Sequence, residues 1–227
     1  MNCTTRRCTA GLLRNPALAC AVLVALAPVP APAVAAQQVF EFDVNLDKRP
    51  IGTHRFTVNR QPDGTTSIQS AASFDVRFLG ITAYRYRHEA AEQWKGECLA
   101  TIDASTDDNG RNLRVTGLQR DGRFQLDMPA AASLPACLSA YAYWNRDLLL
   151  RQRKLLNPQT GKLDEMRVEP LGSETVELKG QPVQAERYRL HAAQNIIDLW
   201  YSQRGDWLQL ESTTGSRRLI YRLRQAP

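Results

Sequence analysis

The sequence predicts a mainly β protein: a curved antiparallel sheet or half-open β-barrel with one helical insertion. Three observations lead there. Apolar residues alternate with polar ones from Val39 almost to the C-terminus, which is the period of a strand with one buried face. Turn signals recur at the spacing of roughly 8–12 residues typical of sandwiches and barrels. In one stretch only, residues 129–158, the apolar spacing changes from two to about 3.6.

Phe40, Phe42, Val44 and Leu46 alternate with Glu41, Asp43 and Asn45 in the first strand. A turn is expected over Lys48-Arg49-Pro50-Ile51-Gly52, and His54, Phe56 and Val58 then mark the next buried face. Gln61-Pro62-Asp63-Gly64 is a strong turn, because Pro presets φ and Gly tolerates positive φ. Ile68, Ala72, Phe74, Val76 and Phe78 follow in register. Tyr84, Tyr86 and His88 share one face of the next strand, with Arg85 and Arg87 on the other. Further strands are expected at Leu99–Ala104, Leu113–Val115 and from Phe124 through Leu126 to Met128, around turns at Asp107-Asp108-Asn109-Gly110 and Asp121-Gly122. After the interruption they resume at Leu163–Val168, Thr175–Leu178, Val183–His191, Ile196–Ser202, Trp207–Glu211 and Leu219–Leu223. Within 129–158, Leu138, Tyr141, Ala142, Leu148, Leu149, Leu155 and Leu156 predict a helix or two short helices. No repeat of 20–50 residues is present, which excludes propellers and solenoids. No Pro-, Gly- or Ser-rich linker divides residues 37–227, so they read as a single domain.

The first 36 residues read as an export signal. Arg6, Arg7 and Arg14 precede the apolar run Ala17–Ala27, and the small-residue stretch Ala33-Val34-Ala35-Ala36 ends it. These are the positive, apolar and cleavage parts of a secretory signal, with cleavage expected after Ala36 or, alternatively, Ala35. Eleven apolar residues rise about 16 Å as a helix, half a hydrocarbon core, so no integral membrane segment is expected after signal removal. Ala17-Leu18-Ala19-Cys20 resembles a lipoprotein processing site, but Cys20 lies mid-run where such a site should close it. Arg6-Arg7 is a twin-arginine pair without the surrounding motif. The expected location is the periplasm.

That segment carries three of the 29 basic residues and none of the 23 acids, so the formal net charge falls from +6 to +3 on its removal. A mature charge that low, in an exported chain, argues against nucleic-acid binding. Three of the five cysteines (Cys3, Cys8 and Cys20) leave as well. The remaining pair, Cys98 and Cys137, is expected to form a disulfide in an oxidising compartment. It closes a loop of about 40 residues, worth roughly 4 kcal/mol in the chain-entropy account.

Signatures of chemistry are sparse. His88-Glu89-Ala90-Ala91-Glu92 starts like a zinc-protease helix, but its second histidine position holds Glu92 and the flanks read as strand, so no metal site is expected. His54, His88 and His191 are widely spaced. No G-x-S-x-G elbow, P-loop or dinucleotide fingerprint occurs, and no catalytic residue or cofactor is assigned. Asp107-Asp108 falls in a turn, where Asp is favoured for backbone reasons. Arg146, Arg151, Arg153 and Lys154 form a basic cluster, read first as a solvated helix face and secondarily as a contact for anionic headgroups. Arg204-Gly205-Asp206 reads as a hairpin turn. Aromatic residues gather near the cysteines and the final hairpin: Tyr84, Tyr86, Trp94, Tyr141, Tyr143, Trp144, Trp200, Tyr201 and Trp207. Core packing is the base expectation for them. The functional reading is that the first eight line a pocket for a lipid or other apolar molecule.

Seven blocks occur in order: Ile51-Gly52-Thr53-His54, Tyr84-Arg85-Tyr86, Glu92-Gln93-Trp94, Cys98-Leu99, Tyr141-Ala142-Tyr143-Trp144, Leu156-Asn157-Pro158-Gln159-Thr160-Gly161 and Leu199-Trp200-Tyr201. In these the chain resembles a family of exported Gram-negative bacterial proteins known as a domain of unknown function, over nearly the whole of residues 37–227. That family lends no catalytic residues. More distantly, the opening and the closing Trp-Tyr strand are similar to periplasmic lipoprotein-carrier and lipocalin-type proteins, which implies a curved sheet with a helical cover over an apolar cavity. The expected function is non-enzymatic binding of an apolar ligand. An envelope interaction module without a cavity and a hydrolase or isomerase with a dispersed site are the competing readings.

Overall fold

A computed structural model describes residues 35–127, 134–193 and 195–225. Among these residues fourteen strands form one sheet in the order β7-β6-β5-β4-β3-β2-β1-β14-β13-β12-β11-β10-β9-β8. The strands are β1 (Ala36–Leu46), β2 (Arg49–Arg60), β3 (Thr65–Phe78), β4 (Ile81–Lys95), β5 (Cys98–Asp108), β6 (Arg111–Arg120), β7 (Arg123–Leu126), β8 (Ser139–Ala140), β9 (Lys154–Leu156), β10 (Leu163–Leu178), β11 (Gln181–Ala192), β12 (Asn195–Ser202), β13 (Trp207–Thr214) and β14 (Arg217–Gln225), with one helix, α1 (Arg146–Arg151). Strands next to each other in sequence pair through tight hairpins almost throughout. The long-range closure is the antiparallel pairing of β1 with β14, which puts the first and last strands side by side in mid-sheet. The expected β architecture is observed in its open form, because the two edge strands, β7 and β8, do not pair. No helix among the described residues is long and apolar enough to cross a membrane.

The predicted insertion carries one short helix flanked by two short strands. Among its described residues only Arg146–Arg151 is helical; its start is fixed by Asn145, whose side chain accepts from the Leu148 amide. The flanks form β8 and β9, which pair in parallel, Ser139 with Leu155 and Ala140 with Leu156. Parallel neighbours need a crossover, and α1 supplies it. The apolar spacing was ambiguous because Leu138, Leu148, Leu149, Leu155 and Leu156 are all buried, whichever element carries them. Residues 128–133, including Met128 and the start of the insertion, and residues 1–34 of the predicted signal lie outside the described residues. Ala36 is the first residue of β1, paired with Arg60.

Two smaller expectations change. The first turn is Asp47-Lys48, so Arg49 to Gly52 already belong to β2. The two strands expected at 163–168 and 175–178 are one, β10, with a bulge at Pro170/Gly172 that lets proline sit within it.

Residues 134–140 span the gap between the sheet's edges. Leu134 bridges Phe124 of β7, the Leu99 amide of β5 donates to the Leu138 carbonyl (2.9 Å), and Ser139 and Ala140 then join β9. The disulfide Cys98–Cys137, with Cα atoms 4.7 Å apart, fastens this strap.

The inward face is not uniformly packed. At one end Phe40, Val58, Trp94, Leu99, Trp207 and Phe124 are each 0–1% exposed. Rings contribute most here: Phe42 lies 4.3 Å from Trp207 and Phe56 5.1 Å from it. Each such side chain stabilises by about 1.5–3 kcal/mol through burial. At the other end of the same strands Leu46, Val76, Tyr86, Leu113 and Leu219 also face inward but are only half-buried. The sheet's interior is therefore closed at one end and open at the other.

Candidate functional site

Where the closed end gives way to the open one, the apolar pattern is broken by polar side chains. Ladder register puts His54 of β2, Ala72 of β3, His88 of β4 and Thr106 of β5 on one rung, all facing inward. His54 Nε2 is 2.7 Å from the Ser70 hydroxyl, and His88 Nδ1 is 2.8 Å from that of Thr106. Small residues at Ala72 and Ser70 make room for the imidazoles. Gly52, one rung away, is required by geometry: at φ +152° a Cβ there would meet the Ser73 carbonyl oxygen at 1.8 Å.

Rings frame this polar floor. His54 stacks on Phe56 (4.0 Å) and lies 5.7 Å from Tyr221, while Phe74 stacks on Tyr86 (5.3 Å) and meets Tyr221 edge-on. The phenols of Tyr86, Tyr143 and Tyr221 lie close enough to influence one another. Burial first, and then Tyr86 and Tyr143, push Tyr221 well above its ordinary value. None of these three hydroxyls makes a hydrogen bond among the described residues.

Both imidazoles are held neutral. Burial, and then repulsion by His88, lowers His54 to about 3. Burial lowers His88 to about 4 against an opposing backbone hydrogen bond at Ser105. His54 Nδ1 is buried with no partner among the described residues, an unmet polar atom inside an apolar interior. Further in, Glu92 also faces inward. Its carboxylate accepts from Trp94 Nε1 (2.8 Å), yet burial still raises it to about 7.

The predicted aromatic set divides four ways. Tyr84 and Tyr86 stand at the open end; Tyr84 donates to Asp108 (2.5 Å) and is raised to about 12, chiefly by burial. Tyr141, Tyr143 and Tyr201 form a middle group: Tyr141 donates to Asp164 (2.7 Å), Tyr201 to the Tyr143 carbonyl (3.0 Å), and Tyr143 lies 5.2 Å from Trp207. Trp94 and Trp144 meet edge-on at 5.7 Å in the closed end, with the Arg60 guanidinium over Trp144. Trp200 is on the other face of the sheet. There Arg187 covers its ring at 4.8 Å and Glu174 accepts from its indole N–H. Trp200 and Tyr201 are adjacent in a strand, so they point to opposite faces and cannot line one pocket. Residues missed by motif reading are His54, Ser70, His88, Thr106 and Tyr221. Their signal was visible as polar side chains on the apolar side of the alternation.

Other flagged features are absorbed by the fold. Arg146 pairs with Asp147 and Glu186, Arg151 with Glu97, and Lys154 with Glu165. His191 faces outward, 3.2 Å from Glu169. Arg204-Gly205-Asp206 is the β12–β13 turn, with Asp206 accepting from the Ser202 hydroxyl. Among the described residues no three His, Cys, Asp or Glu side chains converge as a metal site.

Chemically, His54 and Ser70 have the spacing of a base and a nucleophile, but no carboxylate orients the imidazole from its other nitrogen. The arrangement is better suited to holding a polar end of a molecule whose body lies among rings. A solved structure shares the architecture: the β-barrel-like protein of domain of unknown function DUF1849 from Brucella abortus, at TM-score 0.60 and 10% identity, covering 85% of this chain and 97% of that one. No curated protein matches the sequence. The model of domain of unknown function DUF6134 matches residues 42–224, most of the chain, and the protein belongs to that family.

Proposed function

We propose that the protein is exported to the periplasm and binds, without chemical turnover, an apolar molecule bearing one polar group. The body of the ligand lies at the open end among Tyr86, Leu113, Leu46 and Leu219, and its polar group reaches the His54–Ser70 pair. The observation that carries this reading is the buried, unpartnered His54 Nδ1 beside three phenols that make no hydrogen bond among the described residues. Leaving such an atom unmet costs about 1–3 kcal/mol, which a hydroxyl or protonated carboxyl would recover. Export is supported by the composition of the first 36 residues and by the disulfide, which suits an oxidising compartment.

The test combines native mass spectrometry of protein purified from periplasm with uptake of the fluorescent probe N-phenyl-1-naphthylamine and its displacement by oleic acid. A co-purifying mass of a few hundred daltons is expected, with displacement weakened in His54→Leu while probe uptake persists. A ligand-free spectrum together with no probe fluorescence refutes ligand binding and leaves an envelope interaction module.

A further inference from the structure

The β3–β4 hairpin holds the one contiguous group of exposed large apolar side chains among the described residues: Phe78 (62% exposed), Leu79 (86%) and Ile81 (72%). It also projects. The last β2 partner of β3 is Gly52, opposite Phe74, and the first β5 partner of β4 is Asp108, opposite Tyr86. Beyond these the backbone of Asp75–Phe78 ladders only with that of Ile81–Arg85, and Arg85 also contacts Asn109 at the base. Past the level of Asp108, where β5 ends, four residues of strand carry the tip about 13 Å, while β2 runs on beside it, unpaired with β3, only through Ile51, Pro50 and Arg49.

Its turn differs from most of its siblings, Ala193 (φ 51°) of the β11–β12 turn being the small exception. The two-residue turns at Asn109-Gly110, Asp121-Gly122 and Lys179-Gly180 each place a polar residue at the first positive φ, between 52° and 54°. The same position here is Leu79, at φ 49°. An apolar side chain is thus held in the left-handed region, at the most exposed point of a free ribbon, where Asn or Asp would fit better.

Alternate turns of an antiparallel meander lie at one end of the sheet, so this tip stands between those of β1–β2 and β5–β6. The acids at that end are engaged: Asp75 with Arg87, Asp107 with Arg85 and Asp47 with Arg217 (each 2.9 Å), and Asp108 with Tyr84. Lys48, Arg49, Arg77 and Arg111 form no ion pair among the described residues. An apolar apex with uncompensated cations and a tyrosine behind it matches the layering of a bilayer interface: acyl chains outermost, then anionic headgroups. A protein partner needs an interface near 1,000 Å², more than three side chains at a tip provide.

We propose that the β3–β4 hairpin is a membrane-docking finger, which seats Phe78, Leu79 and Ile81 in an anionic lipid surface and brings the open end of the sheet against it. The inference stands on the hairpin and does not require an interior ligand. It is tested by sedimentation of the protein with vesicles of phosphatidylethanolamine and phosphatidylglycerol, against vesicles of phosphatidylcholine. The wild type should pellet with the anionic vesicles and lose binding at high salt. Leu79→Asn, which restores the residue type of the sibling turns and so preserves the hairpin, should weaken binding by roughly tenfold or more, and Arg77→Ser should weaken it on anionic vesicles alone. N-phenyl-1-naphthylamine uptake by Leu79→Asn should match the wild type, which separates this result from that of the interior site. Absence of wild-type binding, equal binding to phosphatidylcholine, or wild-type binding by a folded Leu79→Asn variant overturns the proposal. So does a wild-type dimer that Leu79→Asn dissociates, since the tip would then cover a second copy.

Discussion

His54 Nε2 and the Ser70 hydroxyl meet at 2.7 Å although they do not share a rung: His54 pairs with Ala72, and Ser70 with Phe56. The imidazole leans diagonally across the strand boundary, stacked on Phe56, and its other nitrogen is left inside the protein without a partner. A polar side chain held this way is neutral, and its neutrality is linked to folding.

His54 and His88 are lowered from 6.5 to about 3 and about 4. Below pH 6.5 the unfolded chain binds protons at these positions while the folded chain does not, so stability falls as pH drops toward 4. Each histidine contributes about 1.4 kcal/mol per pH unit across that window. Urea denaturation at pH 7 and pH 4.5 should show the wild type losing on the order of 2 kcal/mol more than His54→Gln between the two. Equal losses would contradict the buried neutral imidazole.

Glu92 works in the opposite direction. Burial raises it from 4.5 to about 7, so the fold prefers its protonated form and loses stability as pH rises through 7. Glu92→Gln keeps the shape and removes the titration. Its stability relative to wild type should therefore grow between pH 4.5 and pH 8, by at most about 3 kcal/mol. A pH-independent difference between the two proteins would place the carboxylate in water.

The disulfide should matter locally as well as globally. Cys98→Ser with Cys137→Ser releases the strap next to the Leu99–Leu138 hydrogen bond. The chain-entropy account gives a loss of roughly 4 kcal/mol. Hydrogen exchange at the Leu99 amide should accelerate more than at Val58 of β2, three strands away from β5 in the sheet. Uniform acceleration would show that the bond acts only through the unfolded chain.

Period-two patterning located the strands because it is a local consequence of one buried face, and the cysteine pair followed from composition. The helix within 138–156 is shorter than its apolar spacing predicts because burial, not period, places those residues; Ser139–Ala140 and Lys154–Leu156 pair in parallel on either side of it. Phe40, Phe42, Val44, His54 and Phe56 announced their face in the sequence. That His54 shares a rung with His88 did not appear there, since it depends on two hairpins and the register between three strands.

By itself, then, the sequence determined the fold class, most turns, the strand faces and the staple between Cys98 and Cys137. Only the tertiary structure decided that Trp200 and Tyr201 serve opposite faces of one sheet, that Ser70 and His54 touch, and that the β3–β4 tip runs on unpaired with its neighbours. The reason is physical. Alternation and turn chemistry act between adjacent residues, whereas register, curvature and the level at which each neighbouring strand ends are settled by packing across the whole sheet.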